Sequence, residues 1–240
     1  MTPVILNLSK ISYGYPGGPP VLKELDFHLH AGDRVGLVAP NGSGKTTLFH
    51  IVMGLLKPLS GTVEVFGVSR RDEKDFIEVR QRIGLLFQDA DDQLFSPTVL
   101  EDVAFGPLNL GKSREEAVAV AKETLTFLGM AGFEERVTYK LSGGEKRLVS
   151  LATVLAMKPE VLLLDEPSTG LDSGTKKTLV DILNGLDLSF ILISHEFDFL
   201  SKTATHIYTM ADGRIRFDQQ LHIHTHQHAH LMGQQPHRHG

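Results

Sequence analysis

Two stretches of the chain carry side chains suited to handling a polyphosphate. The first is Ala39-Pro40-Asn41-Gly42-Ser43-Gly44-Lys45-Thr46-Thr47, which follows the apolar run Val35–Ala39 and opens a helical pattern. Gly42 and Gly44 let backbone N–H groups turn inward toward phosphate oxygens. The start of the helix adds a dipole of the right sign. Lys45 reaches the terminal phosphates, and the Thr46 hydroxyl can ligate Mg²⁺. The spacing is that of a phosphate-binding loop, with one departure: Ala39 stands where the pattern has its first Gly. The second stretch is Val161-Leu162-Leu163-Leu164-Asp165-Glu166-Pro167, an apolar run ending in two carboxylates. Asp165 would hold Mg²⁺ directly or through water, and Glu166 is a candidate base or water-positioner for attack on the γ-phosphate.

A third segment, Leu141-Ser142-Gly143-Gly144-Glu145, puts a Ser and two glycines at the start of a helix. Free N–H groups there make a second anion site. Two phosphate sites far apart in one sequence suggest that each ATP is clasped by two chains.

These residues need elements to position them. Val35–Ala39, Ile83–Gln88, Val161–Asp165 and Phe190–Ser194 are nearly continuous apolar runs, which predicts strands of a parallel sheet covered on both faces. Such a sheet presents its ligand site at the carboxyl ends of the strands. Helical stretches over Thr47–Leu56 and Thr175–Leu186 lie between them, giving an α/β core. Leu25–His30 and Thr62–Phe66 alternate apolar and polar, as half-exposed antiparallel strands do. From Thr98 to about Lys158 strand signals are sparse. Ser113-Arg114-Glu115-Glu116 reads as a capping box opening a helix to about Leu128, and Gly143–Met157 reads as a second helix. Asp212-Gly213 is a hairpin turn between Thr205–Met210 and Gly213–Phe217.

Composition narrows the function classes. The 240 residues carry 24 Lys+Arg against 29 Asp+Glu, a net charge of −5, so there is no basic excess for a nucleic acid as the main ligand. With no cysteine, the chain has no disulfides, thiolate metal sites or Cys nucleophile. No apolar run approaches 18 residues, and MTPVILNLSK does not read as a signal peptide.

Taken together, the three motifs resemble the ATP-binding cassette (ABC) ATPases over roughly residues 4–218. LSGGE at 141–145 is similar to the family's signature motif, which acts on the partner's ATP through Ser142, Gly143, Gly144 and Glu145. The resemblance implies a P-loop NTPase core of ABC ATPase type, with a small antiparallel β-subdomain and an inserted α-helical subdomain at about 97–158. It further implies that Gln88 is the Q-loop glutamine, touching Mg²⁺ and the membrane partner. Ser168–Asp172 corresponds to the D-loop, with Asp172 at its end. His195 corresponds to the switch histidine that contacts the γ-phosphate. Tyr15 corresponds to the aromatic that stacks on adenine, with Tyr13 as an alternative. The catalytic set implied is Glu166, His195 and Lys45, working on Mg-ATP. One further departure stands out. Many members have an Arg three residues past the motif's fifth position, where this chain has Leu148; Arg147 comes one residue earlier, a rotation of about 100° on a helix.

The segment Phe87–Val99, with a second glutamine at Gln93, resembles the energy-coupling-factor (ECF) importers, which move vitamins, nickel or cobalt. That resemblance implies a second ATPase subunit, a homodimer, together with an integral membrane coupling protein and a membrane substrate-binding protein. The implied location is the cytoplasmic face of the membrane, as a peripheral subunit. Residues 221–240 form a His-rich tail after the 1–220 ATPase unit. There His222, His224, His226, His228 and His230 alternate strictly, which puts five imidazoles on one side of an extended chain. Imidazole suits Ni²⁺, Co²⁺ and Zn²⁺, so the tail favours nickel or cobalt over a vitamin. The rival readings are a vitamin or generic importer ATPase, a soluble non-transport ABC ATPase, and a metal-sequestering tail with regulatory ATP binding.

Overall fold

The computed structural model describes residues 2–217. The His-rich tail therefore lies outside the described residues. Ten strands form two sheets. The first is antiparallel, in the order β2 (Pro20–His30), β1 (Val4–Gly14), β4 (Ser60–Val65), β5 (Val68–Arg70). Along β2 every inward position is apolar, with Leu22, Leu25, Phe27 and Leu29 buried. The second sheet runs β10 (Arg214–Phe217), β9 (His206–Ala211), β3 (Arg34–Val38), β8 (Ser189–Ile193), β7 (Val161–Asp165), β6 (Ile83–Leu86). Its strands are parallel except for β10, an antiparallel edge strand. The β9–β10 turn carries positive φ at Asp212 (53°) and Gly213 (75°), as a two-residue hairpin with this twist demands.

The parallel strands read as unbroken apolar runs because both faces are covered, and the burial shows how. Leu163, Ile191, Ile193 and Leu37 share one core with the antiparallel sheet and with α1 (Lys45–Val52). Leu162, Leu164, Phe190 and Leu192 share the other with the helical insertion, α6 (Ser173–Gly185) and α7 (Phe197–Thr203). The remaining helix, α2 (Asp75–Arg82), leads into β6.

The insertion holds three helices rather than the two expected: α3 (Val99–Asn109), α4 (Arg114–Phe127) and α5 (Gly143–Leu155). α3 starts with a capping box in which Thr98 and Glu101 satisfy each other's backbone amides, a signal present in the sequence as T-x-x-E. Gly106-Pro107 inside α3 reads as a break in sequence. In the structure Gly106 sits against Met157, where a Cβ would come within 2.6 Å of the Met side chain, so contact with the end of α5 sets the residue type. β1, α2 and α7 were likewise not anticipated.

Candidate nucleotide site

β3 ends at Val38, and buried Ala39 follows it. The departure from Gly is absorbed here because the position is packed against the core rather than facing the loop. Gly42 and Gly44 adopt φ of +76° and +98°, a region that costs other residues strain. A Cβ on Gly44 would approach Leu22 and Val21 within 2.9 Å, so β2 of the other sheet also demands glycine there. α1 then begins with no side-chain cap and no acidic residue in its first turn. Its leading N–H groups stay available, which is what an anion site at a helix start requires.

Five predicted residues meet at the carboxyl ends of β7 and β8. Lys45 Nζ lies 2.9 Å from Glu166 Oε1 and 3.4 Å from Asn41 Oδ1. The Thr46 hydroxyl donates to Asp165 Oδ2 at 2.9 Å. His195 Nδ1 lies 2.8 Å from Glu166 Oε2, and Thr169 donates to the same oxygen at 3.2 Å. Glu166 is buried and has φ of +48°, a strained backbone for a non-glycine residue, as found at functional sites. Burial pushes its carboxyl up, but Lys45 and His195 outweigh that and hold it below the usual carboxylate range. Burial raises Asp165, only partly offset by the Thr46 bond and the Lys45 charge. Asp165 Oδ1 and Ser43 Oγ are buried and have no hydrogen-bond partner among the described residues. A buried carboxylate oxygen left bare beside a Thr hydroxyl fits a Mg²⁺ donor set of Thr46, Asp165 and Gln88, all of which line one cavity.

That cavity, about 900 Å³, opens beside the site. Gln88 lines it together with Leu141, Gly143 and Arg147. His50, which the sequence reading passed over, lines it too; it lies four residues after Thr46 and so on the same helix face. Tyr15 does not line this cavity; it is half exposed, its hydroxyl 3.2 Å from Thr47 Oγ1. Tyr13 is buried, and the two rings meet nearly perpendicular with centroids 5.2 Å apart.

Ser142 caps α5 through a full capping box: its hydroxyl accepts from Glu145 N, and Glu145 Oε2 accepts from Ser142 N at 2.8 Å. A Cβ on Gly144 would meet Thr175 at 3.2 Å. Asp172 caps α6, accepting from Gly174 N and Thr175 N. The start of α5 thus packs against the first turn of α6, which Asp172 caps. Arg147 is buried and donates to the carbonyls of Phe87 and Gln88.

A parallel sheet bearing this loop, two terminal carboxylates and a capped signature helix defines an ABC-type nucleotide-binding domain. Residues 22–169 match the family described as ABC transporter, and the chain belongs to that family. It is an ATPase coupled to transport. An ABC transporter ATP-binding protein by name, from Nitratidesulfovibrio vulgaris, is 53% identical over 93% of this chain and 83% of its own length. The energy-coupling factor transporter ATP-binding protein EcfA of Methanothermobacter thermautotrophicus is 43% identical over 88% of this chain and 69% of its own. Among solved structures, CbiO1 of Clostridium perfringens, part of the ABC transporter complex CbiONQ, aligns with a TM-score of 0.78 and 34% identity, covering 89% of this chain and 87% of that one. No helix among the described residues is long and apolar enough to cross a membrane.

Proposed function

We propose that this chain is the ATP-hydrolysing subunit of an ECF-type importer of nickel or cobalt. The observation that carries the ATPase half is the meeting of Lys45, Thr46, Asp165, Glu166 and His195 beside the uncapped start of α1. Lys45 binds the β- and γ-phosphates, leaving Glu166 to do so. Thr46, Asp165 and Gln88 hold Mg²⁺, which neutralises phosphate charge when bound. Glu166, freed from Lys45, orients the attacking water or takes its proton, while His195 steadies Glu166 and faces the γ-phosphate. Tyr15 stacks on the base. Loop residues Ala39–Thr47 wrap the phosphates.

The partner is a second copy, with a membrane coupling protein and a membrane substrate-binding protein completing the complex, and the subunit works at the cytoplasmic membrane face. The partner copy's Ser142–Glu145 segment would close each ATP site. A second reading has one chain closing its own site, because Leu141 and Gly143 line the same cavity as Thr46 and Asp165. Mixing a Lys45→Ala chain with a Ser142→Arg chain separates the two. Recovered ATPase activity in the mixture supports the two-chain site; none, with heterodimers present and single-site dimers shown to be active, supports the one-chain site.

The ECF assignment is supported by the Gln88–Gln93 segment and by the likeness to EcfA. The metal rests on His222, His224, His226, His228 and His230. Calorimetric titration of full-length and 1–220 protein with Ni²⁺ tests it. Binding by the full chain alone, weakening from pH 7.5 to pH 5.5 as imidazoles near their ordinary pKa of about 6.5 protonate, is expected. Equal binding by both forms removes the reason for preferring a metal to a vitamin.

A further inference from the structure

The segment from Phe87 to Ser96 runs from the nucleotide cavity to the surface, and side chains of the insertion, rather than a backbone ladder, tie it down. The guanidinium of Arg147 spans two consecutive carbonyls, Phe87 O at 2.7 Å and Gln88 O. Gln93 works from within the segment. Its Oε1 accepts from Phe87 N at 3.2 Å, and its Nε2 donates to Ser150 O at 2.8 Å and Thr153 Oγ1 at 2.7 Å, both on α5. Further along, Asp102 Oδ1 of α3 accepts from Phe95 N and Ser96 N. Phe87 is thus held at both its N–H and its C=O, and both ties lead to the helix that begins at the signature motif.

We infer that Arg147 and Gln93 are positioning residues of the ATPase, clamping Gln88 to α5 so that Gln88 and the signature motif move as one piece. The inference rests on the role proposed above for Gln88. The planar guanidinium offers both carbonyls N–H groups in a fixed fork, whereas a Lys ammonium carries its donors on a flexible stem and holds the pair less firmly. Arg147 is buried at its position on α5, with the guanidinium turned to Phe87 and Gln88. Neither residue hydrogen-bonds to the P-loop, so ground-state nucleotide binding should change less than turnover. A loose Gln88 should instead cost turnover, since a misplacement of about 1 Å at a reacting centre costs up to about 100-fold.

The test uses full-length protein with Mg-ATP. Arg147→Met is expected to lower kcat about 10- to 100-fold with KM within about threefold, and Arg147→Lys to fall between it and wild type. Gln93→Met should act in the same direction. Amide hydrogen exchange at residues 87–94 should quicken in both Arg147→Met and Gln93→Met, at unchanged exchange in α1. In a Gln88→Ala background the kcat loss caused by Arg147→Met should shrink to about twofold or less, because the residue it acts through is gone. If Arg147→Met does not fold, Arg147→Lys takes its place in the cycle. An undiminished loss beside a defective Gln88→Ala overturns the clamp alone. A fully active Gln88→Ala overturns the clamp together with the role of Gln88. Unchanged exchange at 87–94, or a loss confined to KM, also overturns it.

Discussion

Two helices in this molecule start at a phosphate-type motif, and they treat their first turns in opposite ways. α1 leaves its leading amides uncapped, with Gly44 in a left-handed conformation and no acid nearby in sequence. α5 closes its own first turn, with Ser142 and Glu145 each satisfying the other's amide and Arg136 pairing with Glu145 at 3.0 Å. The uncapped helix sits on the parallel sheet, beside the strained backbone of buried Glu166. The capped one starts the surface of the insertion. On the function proposed above, an anion at the first would fill unmet donors, and at the second it would compete with a carboxylate already there, as suits a contact made and broken in each cycle.

The contrast can be broken most severely at α1. Lys45→Ala should reduce ATP hydrolysis by at least about 100-fold and weaken nucleotide binding, since the phosphates lose their cation. Wild-type turnover in the purified variant would show that the uncapped start of α1 is not the phosphate site. Next in size, Glu166→Gln should bind Mg-ATP but turn it over about 100-fold more slowly, and gel filtration with ATP should find a dimer that persists. A monomer under saturating Mg-ATP would argue against a site shared between copies.

Glu145→Gln sharpens the comparison at the other helix. The amide can still cap, but a negative charge leaves the helix start. The ATP concentration for half-maximal activity should drop by roughly two- to fivefold, the equivalent of about 0.3–1 kcal/mol. A rise instead would mean that the carboxylate helps the contact. The smallest effect concerns Asp102, whose carboxyl is raised by burial despite accepting from Ser96 N and Phe95 N. Its proton is held more tightly in the folded chain than in the unfolded one. Wild type should therefore gain stability as pH falls through the raised value, a gain complete below the unfolded value of about 4. Melting curves of wild type and Asp102→Asn followed down to about pH 4 should diverge in favour of wild type as pH falls. The opposite slope would mean that the two amides keep Asp102 ionised.

Much of the site was legible because its parts are contiguous. Strand, loop and helix follow one another across residues 34–52, so periodicity, glycine spacing and Lys45-Thr46 specify the phosphate loop without long-range help. Asp165 and Glu166 end an apolar strand, and a strand's end is where α/β sheets carry ligands. The capping box at Ser113 was readable in the same way, whereas the amides expected to be free at Ser142 are partly taken up by its capping box with Glu145. β1 was not readable, since its pairing with β2 and β4 depends on partners elsewhere in the chain.

By itself the amino-acid sequence determined the α/β class, the loop at 39–47, the carboxylate pair and the motif order that marks the family. Those features are local: each is set by a few neighbouring residues and by the burial of both faces of a strand. Only the tertiary structure decided that Glu166 is held between Lys45 and His195. It alone decided that Tyr15 is half exposed while Tyr13 is buried, and that β2 crowds Gly44. It also turned Arg147 toward carbonyls about 60 residues away in the chain. Each of these depends on side chains brought together across sheets by packing, and no spacing along the chain encodes which distant carbonyl a buried guanidinium will meet.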